Sequence, residues 1–186
     1  MKTKEIITPL ALRSRRKYAS FFEWPNKKIK ELGVVQDFVE ELSRHEIVWR
    51  DARICQPDPP DCVCFDENGN TIALEVVELV SREAIERSQR GGEVLCCWTC
   101  QDIRSRIGSI LSDKDQKTFN GGPYGEIAVV LHTDEPLMPV GEARTALEGC
   151  TFGPFDKVTK AFLMFSYIPE NGYQILNIPV SVREKS

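Results

Sequence analysis

Two short acidic segments hold the residue types best suited to chemistry. Pro60-Asp61 closes the proline-rich turn QPDPPD, and Glu75 follows fourteen positions later in the run Glu75-Val76-Val77-Glu78. If DCVCF and ALEVV pair as a hairpin, Asp61 and Glu75 come close across it. Side chains alternate faces along a strand, so Glu75 and Val77 share one face while Val76 and Glu78 take the other. Two carboxylates held together form a hard-oxygen site for Mg²⁺ or Mn²⁺. Such an ion polarises a phosphate and lowers the pKa of bound water. Carboxylates this close repel each other, which is expected to destabilise the metal-free protein. Each acid also has a plainer reading. Asp61 is placed to cap the proline-rich turn. Glu75 lies between Leu74 and Val76 in an apolar strand, where a buried carboxylate needs a partner or a raised pKa. Glu78 falls at the strand exit.

The elements around these acids follow from pattern. DCVCF and TIALEVVEL flank the turn DENGN, whose Asn-Gly step is a strong hairpin signal. Residues 26–44 read as a first core helix, with Asn26 as its cap and Val35, Phe38, Val39 and Leu42 at helical spacing. By the same phase count Glu31 lies near that apolar face, while Glu40 and Glu41 point away. A short β-like stretch is expected around Ile47–Trp49. Residues 81–90 read as a helix ended by Gly91-Gly92. A further helix is expected over residues 98–117, with Ile103, Ile107 and Ile110 on one face. Lys114 falls close to the centre of that face, either snorkelling to its rim or reaching the acids. Lys117 is offset from it. EIAVVLHT reads as a central strand covered on both faces. Residues 140–149 form a short helix, and KAFLMFSYI and QILNIPV close a last strand pair. Residues 1–24 read as an arm packed on the body through Tyr18, Phe21, Phe22 and Trp24. The whole, residues 1–186, is expected to be one α/β domain with a mixed central sheet flanked by helices.

Pro60-Asp61 followed by Glu75 on the next strand resembles the motif of the PD-(D/E)XK nuclease-like superfamily. The wider pattern PPDC…IALEVVELV is also similar to uncharacterised bacterial proteins of that fold. The resemblance implies a restriction-endonuclease-like fold, with Asp61 and Glu75 as metal ligands and catalytic residues. It also implies that an acid from the first helix, here Glu31, joins the metal site. The chain departs from the motif where the family has lysine, because Val77 stands there. That lysine orients the nucleophile and neutralises charge at phosphorus, and losing such a group typically costs on the order of 10²–10³ in rate. Lys114 is the candidate replacement as a catalytic cation. Two functions follow. One is a degenerate, non-catalytic binding or regulatory member of the fold. The other is a divalent-metal nuclease that uses Asp61 and Glu75, with Mg²⁺ or Mn²⁺ as cofactor.

Composition narrows the partners. Net charge is -4 and the pI is about 5.4. No global basic field gathers nucleic acid, so a nucleic-acid partner needs a local patch. Arg13, Arg15, Arg16 and Lys17 are the densest candidate. The N-terminus lacks the apolar core of a secretory signal, and no run is long enough for a membrane helix. A cytoplasmic protein with no membrane partner is expected. Cys62-x-Cys64 and Cys97-x-x-Cys100 are weak zinc spacings, because buried cysteines are common small hydrophobes. Only His45 and His132 exist to activate a thiol, and His132 reads as a strand-end feature. In a reducing compartment the seven cysteines stay as thiols. Labelling of freshly purified, unfolded protein is expected to find seven free groups; a protected pair or stoichiometric zinc would contradict this.

Overall fold

The computed structural model describes residues 27–81, 86, 97–135 and 137–184. The N-terminal arm, Asn26, the helix expected over residues 81–90 and its Gly91-Gly92 end lie outside these, apart from Ser81 and Glu86. Helix α1 (Lys27–Ser43) precedes three strands, β1 (Arg50–Ile54), β2 (Cys62–Phe65) and β3 (Thr71–Glu78). Helix α2 (Cys100–Asp115), strand β4 (Glu126–Thr133) and helix α3 (Val140–Leu147) follow. Strands β5 (Phe152–Phe155), β6 (Lys160–Phe165), β7 (Ile175–Ile178) and β8 (Val180–Val182) complete the chain. The main sheet has the order β1-β2-β3-β4-β6-β7, and β5 pairs with β8 separately. β3, β4 and β6 run parallel, while β1, β2 and β7 attach antiparallel. The fold is therefore mixed α/β.

The β2–β3 hairpin sets the register on which everything near Asp61 depends. Its tip is tied by Asp66, whose Oδ1 accepts the Asn68 and Asn70 N–H groups at 2.9 and 2.8 Å. Gly69 takes φ +80° there, a left-handed conformation that glycine adopts without strain. The resulting register pairs Cys62 with Leu74. The next position outward sets Asp61 against Glu75.

Two apolar layers cover the sheet. On one face α1 supplies Val35, Phe38 and Leu42, which pack with Cys62, Cys64, Leu74, Val76, Val130 and Phe162. Phe38, Trp49 and Phe162 form a three-ring contact with centroids 5.1–5.9 Å apart. On the other face Ile103, Ile107 and Leu111 of α2, with Ala143 and Ala146 of α3, pack on Val129, Leu131 and Leu163. β4 is thus covered on both sides, which explains its continuous apolar run. α2 begins with a capping box: Thr99 Oγ1 accepts the Asp102 N–H, and Asp102 Oδ2 accepts the Thr99 N–H.

Several expectations need correction. The stretch Ile47–Trp49 is not the strand; Ile47 and Val48 are exposed and pairing starts at Arg50. Trp49 is buried by the aromatic contact instead. α2 ends at Asp115, short of Lys117. QILNIPV splits into β7 and β8 around Pro179, which has no N–H to donate. β5, with the sequence Phe-Gly-Pro-Phe, shows no strand alternation and was not expected. Glu41 does not point away: it is buried, pairs with Arg44 at 3.0 Å and accepts the Tyr173 N–H at 3.3 Å. Among the described residues no helix is long and apolar enough to cross a membrane.

The end of α2 is fixed by one carboxylate. Asp115 is buried, and its two oxygens accept the N–H groups of Asp156, Lys157 and Val158 at 3.0, 2.7 and 3.0 Å. Burial alone would raise its pKa, but the three N–H groups outweigh it and hold the carboxyl below its ordinary value. Its contribution is therefore present above the unfolded-state value and is lost as pH falls. Asp115→Ala is expected to lower stability by roughly 2–4 kcal/mol in urea unfolding near neutral pH, because one buried and two part-buried N–H donors lose their acceptor.

Candidate metal centre

Glu75 stands in the middle of β3 and is wholly buried. It shares the α2 face of the sheet with Val77, opposite the face that Leu74 and Val76 present to α1. A charge held there needs counter-charge from above. The end of α2 and the turn after it supply it: Lys114 Nζ lies 2.5 Å from Glu75 Oε2, and Lys117 Nζ lies 2.8 Å from the same oxygen. Among the described residues Glu75 Oε1 has no hydrogen-bond partner. Repulsion between Asp61 and Glu75 in the metal-free protein is thus offset at Glu75 by two ammonium groups.

Asp61 comes from the end of the proline-rich turn. Its Oδ2 accepts the Val76 N–H at 2.8 Å, a bond across the hairpin rather than a cap within the turn. The turn is pinned from both sides. Cys55 N–H donates to Asp61 O at 3.0 Å, and Asn120 donates to the carbonyls of Pro59 and Asp58 at 2.9 and 3.3 Å. This path brings in a third acid that the sequence reading missed. Asp58, Asp61 and Glu75 each offer an oxygen within 4.8 Å of the others, with Asp58 exposed and the other two buried. Asp58 lies in the same proline-rich turn three residues before Asp61, and that was the available signal.

Burial, and next the Glu75 carboxylate, push Asp61 up to about 6 against the Val76 N–H; Glu31 adds to the rise and Lys114 opposes it. Glu31 is buried and close enough for Asp61 to feel its charge, yet it lies outside the three-acid set. Its Oε1 sits 3.1 Å from Lys27 Nζ, so the first-helix acid is an ion pair beside the site. Lys114 reaches the acids rather than the rim, and its side chain keeps only 14% exposure. Lys117 also reaches them, contrary to the phase count. The count assumed a helix continuing past Asp115, whereas the chain turns there and Lys117 N–H donates to Lys114 O at 3.1 Å.

Three clustered carboxylates fit Mg²⁺ or Mn²⁺ in donor chemistry. No comparable set of thiols occurs among the described residues. Burial pushes the Cys62 and Cys64 thiols up to about 12, with the Asp61 charge adding at Cys62 and Glu126 at Cys64. They behave as core residues. His45 is exposed beside Glu41, at 3.9 Å. His132 is held low by burial and belongs to the opposite face of the sheet, where it pairs in register with Glu78.

In comparisons with known proteins, no family model, no curated protein and no solved structure matches the chain.

Glu78 supplies a pH test independent of the three acids. It is buried at the end of β3, and burial, followed by the Asp134 charge, lifts it to about 7 despite Lys30. A carboxyl raised in the folded state stabilises that state only while protonated. Its contribution therefore falls as pH rises from about 4.5 to about 7. Glu78→Gln is expected to gain roughly 2–3 kcal/mol over wild type at pH 8 relative to the same comparison at pH 5, measured by urea unfolding.

Proposed function

We propose that the chain is a divalent-metal-dependent phosphodiesterase acting on nucleic acid, built on a restriction-endonuclease-like fold. The observation that carries this reading is the state of Glu75. One of its oxygens is held by two ammonium groups, the other is buried with no hydrogen-bond partner among the described residues, and the carboxylate stands with those of Asp58 and Asp61, each offering an oxygen within 4.8 Å of the others. The hairpin that carries Glu75 beside Asp61, and the crossover helix between parallel strands that carries Lys114, support the superfamily resemblance.

Asp58, Asp61 and Glu75 would hold the cation. A bound Mg²⁺ or Mn²⁺ supplies Lewis acidity toward a phosphate oxygen and acidifies a bound water. Lys114 sits where a lysine at position 77 would otherwise contribute. Its ammonium, fixed against Glu75, can neutralise charge that develops on the phosphate as water adds to phosphorus and the P–O ester bond breaks. Glu31 and Lys27 hold each other and add no net charge.

A second reading has its own support. Glu75 with Lys114 and Lys117 is already a compensated ion cluster, and the chain as a whole is acidic. A non-catalytic binding or regulatory member of the fold could retain such a cluster as structure alone.

Asp61→Asn separates the two. The amide oxygen still accepts the Val76 N–H, and a costly buried charge is gone, so the metal-free variant is expected to melt at or above the wild-type temperature. Glu75→Gln is a poorer test, because it strips counter-charge from both lysines and is expected to cost roughly 2–4 kcal/mol under either reading. If the site binds metal, Mn²⁺ raises the wild-type melting temperature, and Asp61→Asn abolishes both that rise and the Mn²⁺-dependent cleavage of single- or double-stranded DNA or RNA. Wild-type protein that neither responds to Mn²⁺ nor cleaves any of these substrates leaves the non-catalytic reading.

A further inference from the structure

The lysines on Glu75 differ in ways that bear on how many cations the site accepts. Lys114 belongs to α2, and its side chain is mostly buried among the residues of the core face. Lys117 lies beyond the helix end, and its side chain is 37% exposed. Its backbone is nevertheless fixed on both sides. The N–H donates to Lys114 O at 3.1 Å, and the carbonyl accepts Lys157 Nζ at 2.5 Å. Lys157 is held in turn, because its own N–H donates to Asp115 at 2.7 Å. Lys117 thus reaches, from a backbone held on both sides, the same carboxylate whose other oxygen has no hydrogen-bond partner among the described residues.

Charge sets the stoichiometry. Asp58, Asp61 and Glu75 present three negative charges, and Lys114 and Lys117 present two positive ones. The Lys27–Glu31 pair beside them is neutral. One divalent ion makes the site singly positive, which a single monoanionic phosphodiester would balance. A second divalent ion would leave an excess of three positive charges in a partly buried pocket. That excess already counts the three carboxylates, so they leave the Coulomb repulsion uncompensated.

We propose that Lys117 stands in place of a second cation, so that this is a one-metal site in which the ammonium and the bound ion share the Glu75 carboxylate. The inference rests on the metal-dependent reading above and specifies its cation content. Two-metal phosphodiesterases place their ions about 3.5–4 Å apart, on either side of the reacting phosphate. Here the second position falls to a side chain whose positive charge cannot be removed by chelation.

The test is Mn²⁺ binding by the full chain, counted by isothermal titration and by electron paramagnetic resonance of free Mn²⁺, without substrate. Wild type is expected to bind one ion per chain. Lys117→Gln removes the competing charge and is expected to tighten Mn²⁺ binding about tenfold, while Lys117→Arg restores the wild-type affinity. The same Lys117→Gln variant is expected to lose cleavage despite binding the metal better, a split that a merely structural lysine would not produce. Two ions per wild-type chain, or unchanged affinity in Lys117→Gln, overturns the one-metal assignment and leaves the metal-dependent reading intact. No Mn²⁺ binding by wild type overturns both. Because the stoichiometry is read on wild type, the inference stays open to refutation even if Lys117→Gln folds poorly.

Discussion

A carboxylate in the centre of an apolar sheet is the constraint around which this protein is arranged. Glu75 has no exposure to solvent, and the two positions flanking it in β3 face the opposite layer. Burying an ionised carboxylate without compensation costs several kcal/mol, so counter-charge must come from whatever lies over that face. What lies there is the end of α2. The helix must therefore be long enough to reach Glu75, rotated so that Lys114 points down, and stopped in time for Lys117 to turn back. Asp115 makes the stop definite by binding three N–H groups of the segment before β6. Two buried carboxylates, Glu75 and Asp115, thus tie together the middle strand, the crossover helix and the entry to β6.

The same geometry places a lysine against Glu75 from a helix, where the motif of the proposed reading would have one at position 77 of the strand. Val77 shares the face of Glu75, so a lysine there would approach the carboxylate along the strand. Parallel strands require a crossover connection, and α2 lies in the one that joins β3 to β4. A cation on that helix approaches the same oxygen from above the sheet. Electrostatics depends on where the ammonium sits and not on which backbone carries it. Val77 is then released to pack against the core of the α2 face, which it does.

The legible part of this fold was the part governed by period and turn chemistry. The Asn-Gly hairpin, the two-sided strand β4 and the helical faces of α1 and α2 follow from repeating apolar positions. With the hairpin register they were enough to bring Asp61 to Glu75 and to put Lys114 on the face toward the sheet. Periodicity does not decide whether that lysine stops at the rim or reaches Glu75; the contact with Glu75 does. What was missed depends on chain ends and long-range partners. Lys117 was misplaced because periodicity says nothing about where a helix stops, and Asp115 finds its N–H partners some forty positions away in the sequence. Glu41 was read as exposed by phase alone, yet the Tyr173 backbone and Arg44 bury it. Asp58 has no pattern of its own, since its place follows from how Asn120 folds the proline-rich turn. β5 pairs with β8 through a Gly-Pro step that carries no strand signal.

Local and global charge also point in different directions, and that bears on how a polyanion could approach. The chain carries a net charge of -4, so nucleic acid gains nothing from long-range attraction. Within the site the balance is close: three acids face two lysines, with a neutral ion pair alongside. Screening confines exposed charges to about 8–10 Å at ordinary salt. A phosphate that arrives from solution therefore meets a site slightly negative without metal and slightly positive with one divalent ion. Metal occupancy would reverse the sign of the only field the phosphate feels at contact. In a chain of net negative charge, the ion would then serve as a source of affinity as well as of chemistry, and phosphate binding would be expected to follow metal binding.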